Sequence, residues 1–590
     1  MAPSRNVTSN KRLANRRSIL KSFKIRGLTL QTSACDAILN ILKREDPAQH
    51  QTLVHSLADE IKERSIRNNS DNYNIVSKDL VTELVAEHTR NETDIVSEAL
   101  QLLNAFEMPR LKYDVMRRQF HLFSDSQESR SIYGDANHKI DMFIQRFAMI
   151  QQRLLRQECF RPKLVSSSSH TSSTKGAVEE TATTVLTPVE SLLGRSGFRN
   201  LLGIIVQVEE GKYYLEDLSG QIELNFSQAQ VLSDGLIGEN CVVLVEGETQ
   251  EGVLFVHKIG SPLPESREKT IECIGIQKSD FFGAFSSEAE MQKLYQQEVE
   301  NGEDTMFVTL SDVHLDKPQV LTKLEQLFAG FIDFSPLPVF IFMGNFTSRP
   351  IRAARDGGIR QAIGYYEQLG KLISKFPKLA KEARFVFIPG PHDPGVTSGT
   401  LPHPPIPAFF TSGIKKYVTH AVFASNPCRI RFFTREFVFF RNDIVGKLRN
   451  NCIINPRSDD EGNEEQEDDQ KREDCIEKSD NKTSRTRKTH SERLIDHAIQ
   501  TILDQGHLCP LPLVCAPIFW QYDHALRLYP VPDALVVGDG QVDQFNRTCV
   551  GCDVMNPGSF ASDFNFVVYT PVEVVDDMRV RSNVELSQID

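Results

Sequence analysis

Phe307-Val308-Thr309-Leu310-Ser311-Asp312-Val313-His314 is an apolar run that stops abruptly at polar residues. Two later segments repeat the form: Val339-Phe340-Ile341-Phe342-Met343-Gly344-Asn345 and Phe385-Val386-Phe387-Ile388-Pro389-Gly390-Pro391-His392-Asp393. Aromatic and β-branched residues without polar alternation describe strands covered on both faces, which deliver polar side chains at their C-terminal ends. Helical apolar spacing fills the gaps, over Gln319 to Phe331 and Ile359 to Phe376. Strand, helix, strand, helix, strand predicts a parallel sheet, and ligands of such sheets sit at the carboxyl edge, where all three segments end.

The order Asp-x-His (Asp312, His314), Gly-Asn (Asn345) and Gly-Pro-His-Asp (Pro391, His392, Asp393) resembles the calcineurin-like metallophosphoesterase superfamily. By that resemblance, working members have Gly-Asp at the second segment and Gly-Asn-His-Asp/Glu at the third. A lone His and a Gly-His-x-His follow later. Their reaction needs two metals roughly 3.5–4 Å apart, clamping the attacking and leaving oxygens of a phosphoester. A bridging carboxylate offsets the two dications; here Asn345, a neutral amide, has that seat. Pro391 brings no polar side-chain atom where an Asn oxygen is expected. After the strand Ala534 to Val537 comes Gly538-Asp539-Gly540-Gln541-Val542-Asp543, with no histidine pair. Asp312, His314 and His392 remain, enough for at most one weakly held metal. His507 and His524 are the candidate stand-ins for the late ligands, though nothing in their spacing argues for it. The expectation is a retained fold with vestigial positions, no catalytic or metal-ligating residue and no cofactor. The alternative is a metal-dependent phosphoesterase or nuclease acting through Asp312, His314 and His392, with Asp393 beside them.

A phosphoesterase-like domain lacking ligands, preceded by an oligonucleotide-binding (OB) barrel, resembles the B-subunit family of eukaryotic replicative DNA polymerases. Several stretches are similar to its epsilon branch: Phe23 to Leu28, Tyr214 to Asp217, Pro389 to Pro391, Asn426 to Ile430, Gln505 to Leu508, Tyr529 to Asp533 and Asn556 to Phe560. The retained Asp-x-His departs from many such subunits and leaves a residual metal contact open. The resemblance implies a nuclear accessory subunit in DNA replication and repair that binds the C-terminal region of the polymerase's catalytic subunit. It also implies contacts with other polymerase and replisome subunits through a small N-terminal helical module, and DNA engaged mainly through the complex.

Composition agrees with a folded, multidomain chain. At 590 residues it exceeds one ordinary core. A net charge of −12 argues against a dominant nonspecific nucleic-acid coat and favours protein partners or an acidic tail. Eleven cysteines without framework spacing suit a reducing compartment. No run approaches the roughly 20 apolar residues of a membrane helix, so no membrane role is expected.

The fold expected is therefore multidomain α/β in four parts. Residues 1–108 form a helical domain, with apolar stripes over Ala34 to Arg44, Ala48 to Arg64, Asp79 to His88 and Asp94 to Phe106, the last N-capped by Thr93. Its first 26 residues hold eight Lys or Arg and no acid. That reads as a nuclear import signal, a mitochondrial transit peptide or a solvated basic flank; composition does not choose, and the family resemblance points to the nucleus. Residues 109–184 comprise an extended connector, an amphipathic helix over Ile140 to Phe160 and a Ser/Thr-rich flexible linker. Residues 185–275 form the barrel, from five short strand-like runs between Leu201 and His257 punctuated by glycines. Tyr213, Tyr214, Phe226 and Phe255 are its candidate base-stacking residues, with core packing as the equal alternative. Arg199 to Lys258 carries a net charge of −7, which a groove tracking phosphates should not; the barrel reads as a protein-docking module packed on the next domain.

Residues 276–590 form the two-sheet αββα sandwich. Arg429 to Phe433 and Glu436 to Arg441 read as a hairpin of its second half-sheet. A solvated, low-hydrophobicity insertion spans 457–493, carrying a candidate regulatory loop or second import signal. The sheet then resumes with a helix over Leu494 to Asp504 and the apolar segment Leu511 to Trp520. Cys549-Val550-Gly551-Cys552 lacks the partner pair of a zinc site and the context of a redox pair.

Overall fold

The computed structural model describes residues 16–25, 28–31, 34, 35, 38, 75, 76, 99–122, 131–160, 184–192, 194, 197–274, 288–302, 305–351, 358–395, 399–456, 489–575 and 579–589. The chain divides into two units, Met1–Glu98 and Ala99–Asp590. In the first, the amphipathic helix Arg16–Ile25 buries Ile19 and Phe23, and Thr29–Leu30 pairs in parallel with Ile75–Val76. The helices expected over Ala48 to Arg64 and Asp79 to His88, Thr93, and most of Ala34 to Arg44 lie outside the described residues.

In the second unit, one six-stranded sheet has the spatial order His420–Phe423, Arg384–Ile388, Val339–Met343, Phe307–Ser311, Asn565–Val575, Arg579–Gln588. The first four strands are parallel, and the last two continue antiparallel. The three diagnostic runs are therefore adjacent central strands, buried throughout except at Arg384. Alternate residues serve opposite faces. Val308, Leu310, Phe340, Phe342, Phe385 and Phe387 face a core shared with the helices Pro318–Phe331 and Gly358–Ser374. Across that face Phe340 stacks on Phe385 and Phe342 on Phe387, at ring-centroid distances of 5.0 and 5.4 Å. Pro318 starts its helix because position N1 needs no N–H donor.

On the other face lies a second six-stranded sheet, ordered Phe545–Cys549, Cys552–Asn556, Ala534–Gly538, Arg435–Arg441, Cys428–Phe432, Leu100–Asn104. The Phe307 ring meets Phe432 and Phe437 edge-on and so joins the sheets. Val438, Phe440, Leu535 and Val537 point away, into a core with the helices Ile444–Asn450 and His490–Gln505. The layers run helix, sheet, sheet, helix.

Three expectations need correction. Residues 99–108 do not belong to an N-terminal helical domain: Leu100–Asn104 is the edge strand of the second sheet, antiparallel to Cys428–Phe432. Pairing along Cys428–Phe432 satisfies a row of backbone groups, and that outweighs an apolar spacing that also fits a helix. The helix after the insertion begins at His490, not Leu494, and so lies partly within the expected 457–493 insertion. Thr489 and Glu492 form a reciprocal capping box around its polar first turn, and Gly506 closes its C-terminus in the left-handed region. Among the described residues, Leu511 to Trp520 contributes no sheet strand; its one ladder-type contact is an isolated bridge from Ile518 to Leu401.

The connector after Pro109 is a hairpin, Leu111–Asp114 with Gln119–Leu122. The following helix, Ala136–Leu154, is wedged between barrel and sandwich. Phe147, Ile150 and Leu154 pack on Leu202, Ile204 and Val242 of the barrel. On its other side Arg146 reaches Asp523, and Arg153 reaches the carbonyls of Asp504 and Pro262.

The barrel closes as expected. Arg199–Glu209 pairs with Lys212–Glu216, then Gln221–Asn225, then Val253–Gly260 in parallel; Val242–Gln250 pairs with both Val253–Gly260 and Arg199–Glu209. Val550 and Gly551 have φ of +54° and +77°, so Cys549 and Cys552 face each other across a two-residue hairpin turn.

Candidate functional site

The three parallel strands and the second sheet's strand Arg435–Arg441 bring their C-terminal ends to one pocket. Asp312 sits in the left-handed region, φ +55°, just past its strand, which turns its carboxylate back towards Asn345. The Asp312 Oδ1 atom accepts from the Asn345 backbone N–H at 3.0 Å and the Asn345 Nδ2 at 3.2 Å. Asn345 Oδ1 accepts from the His392 backbone N–H at 2.9 Å. A backbone donor on one side and a carboxylate on the other fix the orientation of that amide.

Asp393 is buried beneath. Its oxygens accept from the backbone N–H groups of Phe346 and Gly390, at 2.8 and 2.7 Å. Burial pushes this carboxyl up to about 7, against the pull of both donors. A Cβ on Gly344 would lie 1.9 Å from Asp393 Oδ2, so the close crossing of these loops requires glycine there.

The largest feature of the pocket is one the sequence reading did not single out. Arg441 is buried, its side chain 1% exposed. Its NH2 donates to Asp312 Oδ1 at 2.6 Å, its NH1 to Asp443 Oδ1 at 2.7 Å and Gly538 O at 3.0 Å, and its Nε to Gly344 O at 2.7 Å. Burial alone would lower its pKa, but Asp312 and Asp443 raise it overall, so the guanidinium is charged. Asn426 accepts from the Arg441 backbone N–H and donates to its carbonyl, pinning the strand end. A usable signal was present: a cation ending the run Phe437 to Phe440, on the same face as Phe437 and Phe439, must be buried and therefore paired.

The remaining predicted residues are placed as follows. His314 Nε2 lies 3.9 Å from Asp312 Oδ1, and its buried Nδ1 has no hydrogen-bond partner among the described residues. Burial holds this imidazole below its usual pKa. The His392 side chain is exposed, and Pro391 contributes no polar side-chain atom. His507 and His524 are not brought to the pocket. His507 Nε2 meets Asp523 at 3.2 Å and its Nδ1 accepts from the Cys509 backbone N–H; His524 meets the carbonyl of Met108. Asp539 caps the turn after its strand by accepting from the Val445 and Gln541 backbones. Among the described residues, no three His, Cys, Asp and Glu side chains converge as a metal site. Two metal ions do not fit this donor set: Asp312 Oδ1 is committed to Arg441 and Asn345, and the neutral Asn345 amide is engaged at both ends.

A second feature is an apolar groove of about 390 Å³ between the wedge helix, the barrel and the sandwich. Ile140, Ile144, Leu218 and Val514 are exposed along it, and among the described residues Glu216, Asp217 and Glu239 line it beside a single cation, Lys139. In the barrel, Tyr213 and Phe226 pack against the core, and Tyr214 and Phe255 are half-buried. No described helix is long and apolar enough to cross a membrane.

Two family models match this architecture. Residues 307–547 match the DNA polymerase alpha/epsilon B-subunit family, and residues 136–263 match the OB-fold domain of DNA polymerase epsilon subunit 2-like proteins. Over most of its length the chain is similar to curated proteins. It is 34% identical to the DNA polymerase epsilon B-subunit of Arabidopsis thaliana, over 94% of this chain and 97% of that protein. It is 33% identical to DNA polymerase epsilon subunit 2 of Bos taurus and of Homo sapiens, each over 95% of this chain and 98% of the relative. With a two-sheet sandwich, a closed barrel and full-length similarity of this degree, the chain belongs to the B-subunit family of DNA polymerase epsilon.

Proposed function

We propose that this chain is a non-catalytic accessory and scaffold subunit of a DNA polymerase epsilon complex, working in chromosomal replication and repair in the nucleus. Its sandwich is read as a calcineurin-like phosphoesterase fold that has lost its chemistry. The observation that carries this reading is the buried Arg441–Asp312 pair. A phosphoesterase needs its first aspartate free to bind a metal; here its Oδ1 is already taken by a guanidinium and an amide. In a manganese-dependent phosphodiesterase assay the parent chain and Asp312→Ala are expected to be equally inactive. Turnover present in the parent and lost in the variant would restore the hydrolase reading.

The partner surface is the apolar groove. Its carboxylate rim suits an apolar segment flanked by cations, and its occupant is read as the C-terminal region of the catalytic subunit. The pair Ile144→Asp and Val514→Asp is expected to leave the chain folded and abolish co-purification with that region. A parent chain that stays monomeric with the catalytic subunit present would contradict the proposal. The N-terminal unit is read as the contact to other polymerase and replisome subunits. With a barrel this acidic, DNA is engaged through the complex, and the full chain should bind single strands weakly even at low salt.

A further inference from the structure

Arg441 ends the strand Arg435–Arg441 in register with Phe437 and Phe439, on the face turned to the other sheet. Its guanidinium lies among four oxygens: carboxylates of Asp312 and Asp443, and carbonyls of Gly344 and Gly538. Asp312 and Gly344 follow strands of the first sheet, whereas Gly538 ends a strand of the second. All four ligands are oxygens, the donor class that hard divalent cations take. The loop beyond Gly538 is pressed onto the same place: a Cβ on Gly540 would lie 2.1 Å from Asp312 Oδ2.

We propose that the Arg441 guanidinium is the resident cation of this pocket: it neutralises Asp312 and Asp443, ties the two sheets at their carboxyl edges, and on removal leaves a planar oxygen-lined slot that takes a small guanidinium ion. The proposal rests on reading the pocket as a former metal site. Its chemistry is recognition of a flat cation by two carboxylates and two carbonyls. A neutral molecule of the same shape leaves both carboxylates uncompensated.

The test is chemical rescue of the full chain, followed by thermal melting. Arg441→Ala is expected to lower the Tm by roughly 5–10 °C, the loss that follows from stranding a buried carboxylate. Millimolar methylguanidinium should raise the Tm of the variant saturably, and methylurea should not. Neither should raise that of the parent. An equal response to both compounds, or to neither, overturns the proposal. Should Arg441→Ala fail to fold, a neutral pair decides: Arg441→Met with Asp312→Asn is expected to melt above Arg441→Met alone. A double variant that melts no higher makes Arg441 a packing residue only and overturns the resident-cation role. Failure of the non-catalytic reading would instead show as manganese-dependent hydrolysis by the parent, a readout independent of these melting temperatures.

Discussion

Asp523 gathers one of the most enclosed polar networks in the described chain. Its side chain is 2% exposed, and Arg146 donates to its Oδ1 through Nε and NH2 at 3.0 and 2.5 Å. His507 lies 3.2 Å from the same oxygen. Burial would raise this carboxyl, but Arg146 and His507 hold it well below the usual range. Replacing it strands a buried guanidinium, so Asp523→Ala is expected to lose about 3–5 kcal/mol in urea unfolding. His507 sets a pH dependence of its own. Burial, then Arg146, depresses its pKa to about 4 from 6.5. A depressed imidazole contributes stability that is present above 6.5 and lost as the pH falls towards 4. His403, buried likewise and also held at about 4, acts in the same direction. Asp393 and Asp504, both pushed up to about 7 by burial, oppose them, since their contribution is lost as the pH rises from about 4 to 7. In His507→Asn, which keeps an acceptor for the Cys509 N–H, the urea midpoint should therefore fall less steeply between pH 6.5 and 4.5 than in the parent.

At the scale of elements, Leu100–Asn104 is an edge strand that local pattern disguised. It covers the edge of Cys428–Phe432, whose five residues are all buried. Asn104 and Ala105 also hold Ser425, through the Asn104 Oδ1 and the Ala105 N–H. An uncovered edge presents a row of unpaired donors and acceptors and invites association between chains. A chain beginning at residue 99 is expected to be monomeric by size exclusion. One beginning at residue 109 is expected to aggregate or melt several degrees lower. Equal behaviour of the two would show the strand to be dispensable. The Cys549–Cys552 hairpin makes a related point: Cys-x-x-Cys spacing here encodes a turn with two positive-φ residues, and burial raises both thiols above their ordinary pKa.

Across the whole molecule, barrel and sandwich are joined by polar contacts as well as by the wedge helix. Gln505 donates to the Val242 carbonyl and accepts from its N–H, while Thr501 accepts from the Leu236 N–H. Ile237–Gly238 of the barrel region pairs with Cys452–Ile454 of the sandwich. Gln505→Ala should leave two buried backbone groups unpaired and cost about 1–3 kcal/mol. The variant should also separate the domains earlier in limited proteolysis than the parent. Equal digestion rates would mean that the remaining contacts suffice.

The amino-acid sequence by itself determined the parallel strands, the helices between them, the five barrel strands and the amide and imino acid, Asn345 and Pro391, at the strand ends. Those features depend on local period, on turn residues and on the chemistry of single side chains, all of which are legible in order along the chain. Tertiary structure alone decided that Leu100–Asn104 is a strand, that Asn426 pins Arg441, and that Arg441 lies against Asp312. Each of these joins residues 15 to more than 300 positions apart, and a buried edge or buried charge is resolved by whichever distant group reaches it. Local pattern carries no record of which group that is.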